Sequence, residues 1–192
     1  MRKILLLTTL SLSVFAASVK AQEKGGFKLG VGPVGAIPFG SLGDYNSIGI
    51  GGEAQAAYGI TDNFAAFVQS GYSTFFGKTY TFKSPIPGIP DVSTKGSSLG
   101  FVPMLAGVRY HNSGFSIGGA IGYGLFTGGG SSSGGFAYSP QIGYSIGPVD
   151  IIAHYTGVSR SGGSASFAGL KVFINFIGNS GGGGYRGGGG RW

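Results

Sequence analysis

The chain has no cysteine, and only 10% of its 192 residues are charged. Without thiols there is no disulfide framework, no thiolate metal centre, no cysteine nucleophile and no acylated lipoprotein cysteine. The shortage of charge excludes a charged helical bundle, because soluble domains carry roughly 25% Asp, Glu, Lys and Arg. Two histidines and six carboxylates, dispersed along the chain, are poor material for a metal site. After the N-terminal segment nothing offers the roughly 20 consecutive apolar residues of a membrane-spanning helix. What is abundant is glycine, 42 residues, together with 15 Phe and 10 Tyr. That composition excludes a disordered chain and supplies large apolar surface for a single domain.

Met1 to Ala21 has the layout of a secretory signal. Arg2 and Lys3 form a positive start, Ile4 to Ala17 an apolar stretch, and Val19-Lys20-Ala21 a small-residue exit. Cleavage after Ala21 is expected, giving a mature chain from Gln22. Removing Arg2, Lys3 and Lys20 takes the formal charge from +7 to +4, so much of the basicity belongs to the targeting label. At the other end, Gly181 to Trp192 reads GGGGYRGGGGRW, flexible by composition. Its two arginines would release few counterions, and export removes the chain from RNA, so nucleic acid is not an expected partner. The expected organisation is a signal over 1–21, a folded domain over 22–176 and a Gly-rich tail over 177–192.

Period-two alternation dominates the mature chain. Ile48, Ile50, Gly52, Ala54, Ala56 and Tyr58 share one strand face, while Glu53, Gln55 and four small residues share the other. Phe115, Ile117, Ile121, Tyr123 and Leu125 oppose Ser116, Gly118, Ala120, Gly122 and Gly124 in the same way. Such runs predict eight strands, near 27–36, 47–59, 64–76, 99–110, 115–126, 136–146, 150–158 and 166–176. Connections at 60–63, 111–114 and 147–149 are short. Those at 37–46, 77–98, 127–135 and 159–165 are expected to be longer. A soluble sandwich would turn Lys, Glu, Thr and Arg outward, whereas the second face here is mostly Gly, Ala, Ser and Gln, suited to a narrow interior. The pattern therefore predicts an all-β fold, a closed eight-stranded antiparallel transmembrane β-barrel with short turns at the periplasmic end. Tyr58, Tyr110, Tyr123, Tyr144, Tyr155 and Phe176 are expected near strand ends, at headgroup level. A soluble secreted β-sandwich is the competing architecture.

The segments from Phe101 to Tyr110 (FVPMLAGVRY), Tyr58 to Phe64 (YGITDNF), Ala153 to Gly157 (AHYTG) and Gly169 to Phe176 (GLKVFINF) resemble the bacterial outer membrane protein β-barrel domain family, small porin-like barrels. The resemblance implies a cell outer membrane location, contact with outer-membrane lipid and lipopolysaccharide, and a structural or surface-interaction role. With an even strand count, both termini would be periplasmic.

The inward faces are expected to carry Lys28, Glu53, Arg109, His154 and Lys171, accompanied by Gln55, Gln69, Gln141 and Asn175. A charge in a narrow lumen is costly unless paired, so Glu53 should meet Arg109 or Lys171. Phe67, Phe101 and Leu105 should project toward the thin wall of Gly118, Ala120, Gly122 and Gly124 and close the lumen. Gln55→Arg is expected to be milder than Arg at lipid-facing Ala54 or Ile121. The match of Gly30 to Gly35 to a dinucleotide fingerprint is an accident of glycine content. His154 and Thr156 resemble the His-x-Ser segment of lipid A deacylases, but no carboxylate on the following strand would orient the imidazole. His111 and Ser113 fall in a short turn. The expected chain is therefore not an enzyme, needs no cofactor or metal, and is a monomer, with a narrow channel or lipid-active barrel as the alternative. The basic loop 77–98, interrupted by Pro85, Pro87 and Pro90, would meet lipopolysaccharide phosphates or a surface ligand.

Overall fold

A computed structural model describes residues 25–82, 92–160 and 162–177. The signal segment, the tail beyond Ile177 and Pro85, Pro87 and Pro90 lie outside the described residues. In chain order the elements are β1 (Phe27–Phe39), α1 (Gly40–Tyr45), β2 (Asn46–Gly59), β3 (Phe64–Gly77), β4 (Thr79–Phe82), β5 (Val92–Lys95), β6 (Leu99–Asn112), β7 (Phe115–Gly128), β8 (Ser131–Ile146), β9 (Val149–Arg160) and β10 (Gly163–Ile177). Eight of the strands close into one barrel, in which β1 pairs with both β2 and β10 and β3 pairs with β6. Every neighbouring pair is antiparallel. One sheet closed on itself leaves no unpaired edge, and it replaces the two packed sheets of a sandwich.

The wall turns its large apolar side chains outward. Val31, Ile50, Val68, Met104, Ile121 and Ile142 are all exposed. Three strands carry exposed aromatic pairs eight residues apart: Phe64 with Tyr72, Phe115 with Tyr123, and Phe136 with Tyr144. At about 3.3 Å per residue and a strand tilt of about 40°, that spacing is about 20 Å along the barrel axis, close to the apolar band between aromatic girdles in membrane barrels. Tyr123 and Tyr155, expected near strand ends, lie inside longer strands, because β7 to β10 run on past the upper girdle. Some outward aromatics also cover glycines. A Cβ on Gly157 would sit 2.4 Å from the Tyr138 ring, so the ring packs flat on the wall only because that position is glycine.

Two connections expected to be long are tight turns. β7 and β8 stay paired up to Gly128 and Ser131, joined by Gly129 and Gly130 at φ 59° and 80°, the left-handed pair that a two-residue hairpin turn requires. β9 and β10 stay paired up to Arg160 and Gly163. Ser131 to Gly135 carry no apolar alternation, so the strand cannot be recognised there from pattern alone. The long connections at that end are thus 40–45, which holds α1, and 78–98, which holds the β4–β5 hairpin. The two are laced together: the Lys78 ammonium donates to the Gly43 carbonyl, the Tyr80 hydroxyl to the Asp44 carbonyl and the Lys78 amide to the Tyr45 carbonyl at 2.9 Å.

Inside, the half of the lumen nearest these loops is apolar. Phe75, Phe101, Phe126 and Phe167 stack in tilted and edge-on contacts with centroids 4.8 to 5.1 Å apart. Leu42 of α1 and Val158 pack onto the same cluster, and Ser41 donates to the Ser164 carbonyl at 3.0 Å. The helix is only one turn and a half, with no side-chain cap; burial of Leu42 holds it over the barrel mouth. The wall opposite Phe101 is bare by necessity, since a Cβ on Gly124 would lie 2.9 Å from that ring.

Candidate functional site: the polar lumen

Below the aromatic plug, toward the short turns, the inward positions become polar. Glu53 on β2 and Lys171 on β10 meet inside the lumen over the intervening β1, with Lys171 Nζ donating to Glu53 Oε2 at 2.6 Å. Both are buried, Lys171 to 1% exposure. Of the two cations open to Glu53, the carboxylate takes Lys171. Arg109 on β6 instead donates through Nη2 to the amide oxygens of Gln55 at 2.9 Å and Gln141 at 2.7 Å, and its guanidinium lies 4.4 Å from the Phe67 ring centroid. Gln141 passes the chain on, its Nε2 donating to Gln69 Oε1 at 3.2 Å.

Nearer the short turns, Lys28 on β1 donates to Asp150 Oδ2 at 2.7 Å, and Ser145 donates to Asp150 Oδ1 at 2.7 Å. Sequence reasoning placed Asp150 at the first position of a strand over 150–158 but did not count it among the inward polar residues. Its signal was present in the alternation, since Asp150, Ile152, His154 and Thr156 are all buried on one face. Asn175 lies at the same end and donates to the Pro148 carbonyl at 2.8 Å. Gln55 is an acceptor for Arg109, so an arginine at this position would bring a second guanidinium against the first.

His154 sits at mid-height. Its Nδ1 is 3.1 Å from Thr156 Oγ1, and that hydroxyl is also 3.0 Å from Ser139 Oγ. His154 Nε2 has no hydrogen-bond partner among the described residues, so nothing there orients the imidazole as a carboxylate would. The His111 and Ser113 side chains do not meet: the Ser113 hydroxyl donates to Asn112 Oδ1 at 3.1 Å. Among the described residues no three His, Asp or Glu side chains come together as a metal-ligand set. The arrangement ties β1 to β9, β2 to β10 and β6 to β2 and β8 through the lumen. The two ion pairs, Arg109 and the glutamines it meets are thereby used to join strands that are not hydrogen-bonded to each other.

No family model matches the sequence, and no curated protein matches it. Solved structures do resemble it in shape. Ail, the attachment invasion locus protein of Yersinia pestis, matches at a TM-score of 0.52 and 14% identity, over 79% of this chain and 99% of that one. Its complex with the heparin analogue sucrose octasulfate matches at 0.53 and 13%, with the same coverage. The outer membrane protein OprG from Pseudomonas aeruginosa aligns over 82% of this chain and 96% of that one, at 12% identity and a TM-score of 0.45. The chain has the porin-like fold of the small eight-stranded outer-membrane β-barrels.

Proposed function

We propose that this is a non-conducting barrel of the cell outer membrane whose loop end contacts anionic groups at the cell surface. The apolar outer band between two aromatic girdles supports a membrane seat. Both barrel termini lie at the end opposite the two long connections, and by the usual asymmetry of such barrels that end is the periplasmic one. The observation that carries the surface role is the loop end itself. Two laced connections cover an aromatic plug and present Lys78 and Lys95 against Asp44, with Arg160 beside them at the end of β9, its guanidinium 5.3 Å from the Phe126 ring centroid. The fold likeness to Ail, which has been crystallised with a sulfated heparin analogue, agrees with such chemistry.

A catalytic role is not part of this reading, because His154 and Thr156 lie in the lumen beneath the phenylalanine cluster, out of reach of lipid. The protein is read as a monomer, its wall closed without a partner strand. The test is binding of heparin and of lipopolysaccharide to the mature chain in neutral phospholipid vesicles. Binding that weakens steeply with salt and falls in Lys78→Gln/Lys95→Gln is the expected result. Equal binding by wild type and variant, or none by either, overturns the surface reading.

A further inference from the structure

Three cations and two carboxylates occupy the described lumen, and the pairing is one to one for only two of the cations. Lys171 has Glu53 and Lys28 has Asp150. Arg109 is left over at 3% exposure, with no carboxylate within ion-pair distance among the described residues. Its contacts are two amide oxygens, both through Nη2, and a π face. These are dipoles and a quadrupole, which lower the cost of burying the charge without cancelling it. A guanidinium has five N–H groups, and Nε and Nη1 have no acceptor among the described residues.

Arg109 also lines a cavity of about 20 Å³ at the short-turn end, shared with Lys28, Gln55, Thr61, Asn63 and His111. Thr61 Oγ1 already accepts the backbone amides of Asn63 and Phe64, at 3.3 and 3.0 Å, so its own proton is free to be donated. Asn63 Nδ2 is committed to the His111 carbonyl. His111 Nδ1 has no protein partner among the described residues. Two carboxylates reach the same wall: Asp150 is occupied by Lys28 and Ser145, and Asp62 is exposed on the turn. A cavity of this size exceeds the roughly 10–15 Å³ that one water requires, so a single small ligand can take the place of a water beside Arg109.

We propose that this vestibule binds one small monovalent anion of halide size, held against the free edge of Arg109 with the Thr61 hydroxyl as a second donor. The anion supplies the negative charge that the lumen's own residues leave missing, beside a guanidinium that is itself only 3% exposed. Chlorine NMR linewidths of sodium chloride solutions, recorded with the mature chain folded in detergent, test the proposal. The expected result is excess broadening that saturates with chloride and is displaced by bromide but not by gluconate, with affinity reduced about tenfold or more in Arg109→Gln and retained better in Arg109→Lys. Broadening that never saturates, or that is unchanged in Arg109→Gln, overturns it. Should Arg109→Gln fail to fold, crystals of the unaltered protein grown in bromide decide the matter. An anomalous peak within hydrogen-bond reach of Arg109 supports the site, and water alone at that position overturns it.

Discussion

The two halves of the lumen solve one problem by opposite means. A narrow barrel must fill its interior. The loop-side half does so with four phenylalanines and Leu42 from a short helix. The short-turn half uses two ion pairs, an arginine and a glutamine chain. The apolar half gains from removing surface from water and tolerates some loss of fit. The polar half gains little from its contacts in total, yet each contact is expensive to break on one side only. The plug therefore closes the mouth, while the polar network ties each strand it uses to the next strand but one around the wall.

The largest expected effect falls on the deep ion pair. Lys171→Met leaves the Glu53 carboxylate buried and unpaired and should lower the stability of the barrel in bilayers by roughly 3–5 kcal/mol, read from urea unfolding. Adding Glu53→Gln to the same chain should restore most of that loss, because the double change removes both charges. If the double variant is no better than the single one, the contrast between one-sided and two-sided loss is wrong for this half. Phe101→Ala tests the other half and should cost about 3–4 kcal/mol, within the range for deleting a buried ring. Planar-bilayer recordings of the wild type should show no stable conductance, and those of this variant should stay flat too, since Leu42, Phe126 and Phe167 still cross the mouth. Reproducible steps from wild type would mean that the plug does not close the lumen.

The contrast was only partly legible in the sequence. Alternation such as that from Ile48 to Tyr58 fixes which side chains face inward, and the eight strands follow from it. It carries no information where residues on both faces are small. Ser131 to Gly135 and Ser164 therefore read as loop, although backbone pairing runs through them. Nor does alternation fix height: which inward residue on β2 meets which on β10 depends on the stagger accumulated around the closed wall. Arg109 and Lys171 were thus equivalent candidates for Glu53 until the register was known. Helix α1, with the sequence GSLGDY, has no intrinsic reason to be helical, and it exists because Leu42 docks on Phe-rich walls contributed by distant strands.

A smaller effect is expected where the polar half relies on an amide rather than a charge. Gln55→Leu removes one of the two oxygens on Arg109 and should cost roughly 1–3 kcal/mol, the penalty for stranding part of a buried donor. An unchanged urea midpoint would show that water replaces that oxygen freely, and so that this part of the lumen is wetter than its burial implies.

The smallest effect separates the two ion pairs from each other. Lys28 and Asp150 are 18% and 5% exposed at the side chain, against 1% and 4% for Lys171 and Glu53, and the former pair borders the open short-turn vestibule. Ions reach the mouth but not mid-barrel, so screening should distinguish them: the Debye length shrinks from about 10 Å at 0.1 M salt to about 3 Å at 1 M. Lys28→Met should therefore cost less than Lys171→Met in dilute buffer, because the partly exposed ammonium has less burial to repay and Asp150 keeps the Ser145 hydroxyl, and less again in molar salt. The loss from Lys171→Met should not depend on salt, because no counterion can enter to replace the ammonium beside Glu53. Parallel salt dependence for the two variants would show that solution reaches Glu53 as readily as Asp150, and the plugged half would then be the only dry part of the barrel.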